Sequence, residues 1–234
     1  MFGKMFNSSL QNSNVPITSW MKVIYYFCAD AQLYQIQKYV PTVSKKTLIK
    51  MLAQLRQICK DEIDKTKDSL VFGNDVECIC NVEIDEGCFG KKRKNNKGKK
   101  FTKQWVFGVT ERSTRKVLFK IVKDRTKKTL HPIILKHIAK SSFLHHDDWP
   151  AYRSLSQMGY HDLIVNHTKQ FKGKDGACTN TIEGLWGVVK QRITRMHGIP
   201  NKLLEAYLCE FSFSLKHSKA ISIYNEDTYS HCTK

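Results

Sequence analysis

Acidic residues are scarce in this chain. Only 21 Asp and Glu stand against 39 Lys and Arg over 234 residues, leaving a formal charge of +18 and a sequence pI of about 9.6. Uncompensated charge on that scale opposes compaction and calls for an anionic partner, so nucleic acid is the first expectation. Long apolar runs are missing too. None approaches the roughly 20 residues needed to span a bilayer, and the opening stretch MFGKMFNSSLQNSNVPITSW lacks the apolar core of a secretory signal. A soluble, intracellular protein without membrane contact is expected, in the nucleus of a eukaryote or the cytoplasm otherwise. The eight cysteines include no CxxC pair, the closest two being Cys78 and Cys80. Without a secretory context they read as reduced small hydrophobes rather than disulfides or zinc ligands. No internal repeat is evident.

What is present begins with helical periodicity over residues 18–63. Trp20, Val23, Ile24 and Phe27 form one block, Leu33, Ile36 and Val40 a second, and Leu48, Met51, Leu52, Leu55, Ile58 and Cys59 a third. Between the last two, VPTVSKKT supplies a breaker at Pro41 and a cap at Ser44, so a short helix, a turn and a long helix are predicted. Helix-turn-helix proteins place the start of their second helix in the major groove, which makes Lys45 and Lys46 candidate DNA contacts. A plain bundle with a solvated basic face is the alternative.

The polar run 64–75 reads as a linker and 76–217 as a second domain, with tails at 1–17 and 218–234. Strands are expected at 76–84, 104–110 and 116–123, with connections suited to an antiparallel meander. A helix over 126–139 follows, with Pro132 in its first turn, then a short strand at 142–146, a helix at 150–158, a strand at 162–165, and helices at 181–196 and 202–216. The order βββαβαβα is that of an RNase H-like α/β domain.

Within that order three acids fall at the ends of elements: Asp85 near the end of the first strand, Asp147 after the fourth, and Glu183 in the first turn of the penultimate helix. Sixty-one residues separate the first two and 35 the second pair. Adjacent parallel first and fourth strands would bring Asp85 and Asp147 together, and clustered carboxylates need a cation. Mg²⁺ suits such a site, and two such ions would clamp the attacking and leaving oxygens of a phosphoryl transfer. Eight of the thirteen residues from Lys91 to Lys103 are basic, so Lys91, Lys92, Arg93 and Lys94 would hold a nucleic-acid backbone beside the acids. Duller readings exist for each acid: Asp85–Glu86 as a polar strand exit, Asp147–Asp148 as a helix cap, and Asn180 with Glu183 as a capping box.

The phrases VEIDEGCFG, HHDDWPAY, VNHTKQF and TNTIEGLWGVVK, in this order, resemble the transposase domain of the Merlin transposons and related bacterial insertion sequences. LCEFSF looks like that domain's closing helix, and the resemblance runs from about residue 16 to 217. It implies an RNase H-like fold with a DDE metal site that cuts DNA ends and joins them to target DNA. Matched motif by motif, the catalytic and metal-binding acids are Asp85 of VEIDE, Asp147 two residues before Trp149, and Glu183 of TNTIEGLW. The implied cofactor is Mg²⁺, two ions, with Mn²⁺ able to substitute. The implied partners are transposon-end and target DNA, bound by a homo-oligomer. Lys190, seven residues beyond Glu183, would face a phosphate or simply solvent. Trp149 and Trp186 read as packing rather than base-stacking, and His145, His146 and His167 as backbone or outer contacts rather than ligands. Departures from the family pattern are Asp148 before Trp149, Cys178 where relatives often carry histidine, a closing motif without its Arg-Asn, and no preceding zinc ribbon. They leave open an alternative, a transposase-derived DNA-binding protein without catalysis. A structure-specific nuclease of the same fold is a third possibility.

Overall fold

The computed structural model describes residues 13–74, 80–90, 103–165 and 178–217. Three helices come first: α1 (Ile17–Cys28), α2 (Leu33–Tyr39) and α3 (Lys45–Lys67). Trp20, Val23, Ile36, Val40, Val43, Leu48, Met51 and Leu55 form their common core. The backbone amide of Thr47 donates to Ser44 Oγ at 3.1 Å, so the serine caps α3 as expected. The helix runs four residues past the predicted 63. Lys60 pairs with Asp64 one turn on, and Lys67 reaches Glu205 at 3.4 Å, so these polar residues extend the helix instead of breaking it.

The sheet has five strands among the described residues: β1 (Asn81–Phe89), β2 (Gln104–Glu111), β3 (Val117–Val122), β4 (Phe143–Asp147) and β5 (His161–Val165). Their order is β3-β2-β1-β4-β5. The first three are antiparallel, and β4 and β5 run parallel to β1. With helices on both faces, this is an RNase H-like sheet. Helices α4 (Lys127–His137), α5 (Asn180–Arg195) and α6 (Leu204–His217) complete the described chain.

Three predictions about elements are corrected. The first strand lies at Asn81–Phe89 rather than 76–84, of which 76–79 lie outside the described residues, so Asp85 is mid-strand and Glu86 is no strand exit. Gly87, Cys88 and Phe89 are poor strand signals alone, but each pairs across to Val106, Trp105 and Gln104, and Phe89 is buried. Pro132 is not in the first turn of α4. It is the sixth residue, inside the helix. Residues 150–158 form no α-helix; they make turns that end in a 3₁₀ segment, Ser156–Met158. Tyr152 N bonds Trp149 O, Leu155 N bonds Tyr152 O and Met158 N bonds Leu155 O, a chain of i to i+3 bonds that stacks Tyr152 and Leu155 on one inward edge.

Alternation along β1 assigns the two faces. Val82 and Ile84 join Phe107, Val109, Leu130, Ile134, Leu144, Tyr152 and Leu155 in the core under α4. Phe89 belongs to the opposite core with Val106, Phe119, Ile182, Trp186, Val189, Leu208 and Phe211, under α5 and α6. Glu83 and Asp85, in phase with Phe89, therefore point toward α5.

The helical block docks on α5 and α6 through charge. Arg56 pairs with Glu210 at 2.6 Å and lies 3.8 Å above the Tyr207 ring, while Arg192 reaches both Glu210 (2.5 Å) and Asp30 (2.6 Å).

Candidate functional site

The site is built where β1, β4 and the start of α5 meet. Asn81, Val82 and Glu83 lie beside Phe143, Leu144 and His145; Asp85 and Asp147 each follow two residues beyond the end of that pairing, close enough for the Asp147 charge to act on Asp85. Identical phase puts both carboxylates on the α5 face. Burial, with the charges of Asp147 and Glu183 adding to it, pushes the Asp85 carboxyl up to about 6, while the Glu86 backbone and the Trp186 indole pull the other way. Asp147 Oδ1 is buried and has no hydrogen-bond partner among the described residues.

Trp186 holds Asp85 in place. Its Nε1–H donates to Asp85 Oδ2 at 3.0 Å, and the ring lies on two glycines. A Cβ on Gly108, which faces Asp85 across the hairpin, would stand 2.6 Å from Trp186 Cζ2; one on Gly87 would stand 3.0 Å from Cε3. Glycine is needed at both positions because the indole occupies the space a side chain would fill. The packing role expected for Trp186 is what the structure shows, the residue being buried. Trp149 also packs: Arg125 lies between its ring (3.8 Å) and that of Trp105 (4.0 Å), and the indole donates to Arg125 O.

Glu183 sits in the first turn of α5, exposed, and accepts a hydrogen bond from Thr179 Oγ1 at 2.6 Å. The helix starts at Asn180, so the capping box considered for Asn180 and Glu183 does not form. Asp148 is exposed and pairs with Arg153 at 3.1 Å; it caps no helix. Lys190 is exposed on α5, and Lys45 and Lys46 are exposed at the start of α3. Lys91, Lys92, Arg93, Lys94 and His167 lie outside the described residues.

The structure thus brings Asp147 and Glu183 within electrostatic reach of Asp85, with the Glu183 carboxylate tied to Thr179. Among the described residues, no three His, Cys, Asp or Glu side chains are already arranged to hold a metal. The two aspartates nevertheless fit a hard cation. One has an orphaned buried oxygen, the other is kept from ionising freely by burial and its neighbours, and oxygen donors are what Mg²⁺ takes.

Sequence reasoning missed the layer beneath. Glu83 is fully buried: its Oε1 accepts from Arg112 Nε at 2.5 Å and its Oε2 from the Ile182 backbone amide at 2.8 Å. Arg112 also donates to Cys178 O (2.6 Å) and Cys178 Sγ (2.9 Å). His145 Nδ1 accepts from the Cys178 amide at 3.4 Å, so its Nε2 carries the proton and donates to Asn81 Oδ1 at 2.8 Å. Burial, with help from Arg112 and His146, pushes His145 down to about 4 and keeps it neutral. The available signal was period two in VEIDE, which puts Glu83 on the face of Asp85. On the opposite face Glu86 accepts from Tyr152 and lies 3.8 Å from Arg125; burial, then the Asp85 and Asp147 charges, raise it to about 8.

A cavity of about 710 Å³ lies elsewhere, between α2, α3 and the α5–α6 turn, lined in part by Tyr34, Lys45, Ile49, Arg195 and His197. The described helices include none long and apolar enough to cross a membrane.

Sheet and site together define an RNase H-like domain with an acidic face beneath its penultimate helix. The chain belongs to the ISXO2-like transposase domain family, whose model matches residues 81–215. A Haemophilus influenzae protein described as an uncharacterized transposase-like protein is 28% identical over 101 residues, 42% of this chain and 81% of its own length. Among solved structures, the HTLV-2 integrase catalytic core domain in complex with magnesium is similar at 11% identity and a TM-score of 0.33, covering 61% of this chain and 84% of that one. A simian T-cell lymphotropic virus intasome bound to a PP2A regulatory subunit is similar at 14% identity and 0.33, covering 69% and 56%. At that level of superposition the fold assignment rests on strand order and register alone.

Proposed function

We propose that this chain is a DNA transposase of the Merlin type, cutting at transposon ends and joining them to target DNA with Asp85, Asp147 and Glu183 as its DDE acids. The observation that carries this reading is the parallel pairing of β1 with β4, with Asp85 and Asp147 close enough that the Asp147 charge acts on Asp85, in a transposase-family chain of net charge +18. Bound at the acids, Mg²⁺ or Mn²⁺, as two ions, would activate the attacking hydroxyl and stabilise the leaving oxygen.

The chain's own residues prepare that chemistry. Trp186 holds the Asp85 carboxylate through Oδ2, and the Glu86 backbone amide donates to it as well. Glu183, held by Thr179 Oγ1 in the first turn of α5, would be the third acid to hold the cation. The helical block, residues 18–63 of a DNA-binding domain ahead of the catalytic one, reads the end sequence with Lys45 and Lys46 at the start of α3. Lys190 and the basic run from Lys91 track phosphates, and the protein works as an oligomer on DNA.

Cleavage of duplex carrying the element's own ends tests this. Activity should require Mg²⁺ or Mn²⁺ and fall by about a hundredfold or more in Asp85→Asn, Asp147→Asn and Glu183→Gln, with binding intact. Replacing Lys45 and Lys46 with alanine should lower the salt slope of binding by about 2. The Thr179 bond to Glu183 favours the second reading, a transposase-derived DNA binder that does not cut. It predicts salt-sensitive binding with no cleavage under either metal.

A further inference from the structure

We propose that Glu83 and Arg112 are positioning residues that fix the start of α5, and with it Glu183, against Asp85 and Asp147. The proposal rests on the metal-site reading above.

Helix α5 has an unusual cap. Helix N-termini leave amide donors unpaired, and a local N-cap side chain normally accepts one of them. In α5 the N-cap residue, Thr179, makes no such bond; its hydroxyl donates to Glu183. The Ile182 amide is instead taken by Glu83, from β1 and 99 residues away in sequence. The residue after Ile182 is Glu183, and two residues after Glu83 on the same face is Asp85. One hydrogen bond therefore sets the height of the third acid against the first.

Arg112 locks the same point from the other side. Its guanidinium uses Nε on Glu83 and one terminal nitrogen on the Cys178 carbonyl and sulfur, while its own backbone amide donates to Asn81 O. His145, from β4, accepts from the Cys178 amide. Residues on β1, β2 and β4, or just beyond their ends, thus grip Cys178 and Ile182, on both sides of the Thr179–Asn180 helix start. Apolar packing under α5 would tolerate sliding that these directional bonds do not.

Stability alone does not account for such a pair. A fully buried carboxylate with its guanidinium is costly to desolvate, and an apolar pair of similar volume holds a fold as well or better. What an apolar pair cannot supply is a fixed register for the backbone that carries a ligand. Groups that orient metal ligands characteristically change metal affinity by about 10- to 100-fold when removed.

A double-mutant cycle on the full chain tests this without relying on DNA cleavage. Mn²⁺ affinity is measured by electron paramagnetic resonance titration for the parent, Glu83→Gln, Glu183→Gln and the double variant, with thermal melting followed in parallel. Each single change should weaken Mn²⁺ binding about tenfold. The double should be no weaker than about the weaker single, because Glu83 acts through Glu183. Effects that multiply, to about a hundredfold in the double, would overturn the proposal, as would a Glu83→Gln protein that binds Mn²⁺ like the parent. Should Glu83→Gln lose its cooperative melt, Arg112→Lys takes its place in the cycle, since lysine keeps a charge beside Glu83 but cannot bridge to Cys178. A parent chain that binds no Mn²⁺ removes the metal reading and this proposal together. Multiplying effects remove only this proposal.

Discussion

Replacing Asp85 with asparagine removes a buried negative charge while keeping an oxygen for the Trp186 indole. Burial, reinforced by Asp147 and Glu183, lifts the Asp85 carboxyl from the ordinary 3.8 to about 6. Because the folded-state value lies above the unfolded one, folding favours the protonated form. That contribution is fully present below the unfolded value and is lost as pH rises through the folded one, so the ionised group weighs on the fold near neutrality. A shift of roughly 2 pKa units is worth about 3 kcal/mol. Loss of one of the two carboxylate oxygens that accept from the Trp186 indole and the Glu86 backbone gives back about 1 kcal/mol, which leaves a gain of about 2 kcal/mol. Without divalent cation at about pH 7.5, Asp85→Asn should therefore melt roughly 4–8 °C above the parent, and the gap should close by about pH 4.5. Mn²⁺ should raise the parent's midpoint and leave the variant's almost unchanged. Scanning calorimetry across this pH range reads both effects. A variant that melts below the parent near neutrality, or a gap that ignores pH, would refute the account of Asp85 as a carboxylate awaiting a cation.

Gly108→Ala should destabilise the chain by about 1–3 kcal/mol in urea titrations, because the new methyl group meets Trp186 Cζ2 at 2.6 Å and Ile182 Cδ1 at 3.0 Å in a packed core. Its tryptophan fluorescence should shift to the red as the indole is displaced from the sheet. Glu210→Ala should cost about 3–5 kcal/mol, since it strips the buried acid shared by Arg56 and Arg192 and leaves two guanidinium groups facing each other between α3, α5 and α6. Limited proteolysis should then cut within the α1–α3 block before the sheet.

Much of this was readable from sequence, for identifiable reasons. The helices of the first block follow a 3.6-residue apolar period, and Ser44 before a basic, apolar run marks the start of α3 without tertiary help. β2 and β3 are strongly apolar and fall within a residue of their predicted ends. Parallel pairing of β1 with β4 was legible from the order of elements, and it fixed which two acids would stand together. The far end of β1 was not legible, because Gly87 and Cys88 become strand through cross-strand partners rather than their own preference. The segment 150–158 looked helical from composition, yet Tyr152 and Leu155 must share one inward edge, which a three-residue repeat satisfies. The Glu83–Arg112 pair was hidden for another reason. Arg112 opens a turn, ERSTR, that reads as solvated, and its contact at Cys178 lies 66 residues further on. No local pattern announces a bond of that length.

The central claim is that Asp85 and Asp147 receive a divalent cation and that Glu183 leaves Thr179 to join them. The most direct measurement is an anomalous difference map from crystals of the full chain grown with Mn²⁺ and end DNA. The account predicts density between the two aspartates, with the Glu183 carboxylate turned inward onto the metal. Manganese bound elsewhere, with Glu183 still on Thr179 and no peak beside Asp147 Oδ1, would contradict it.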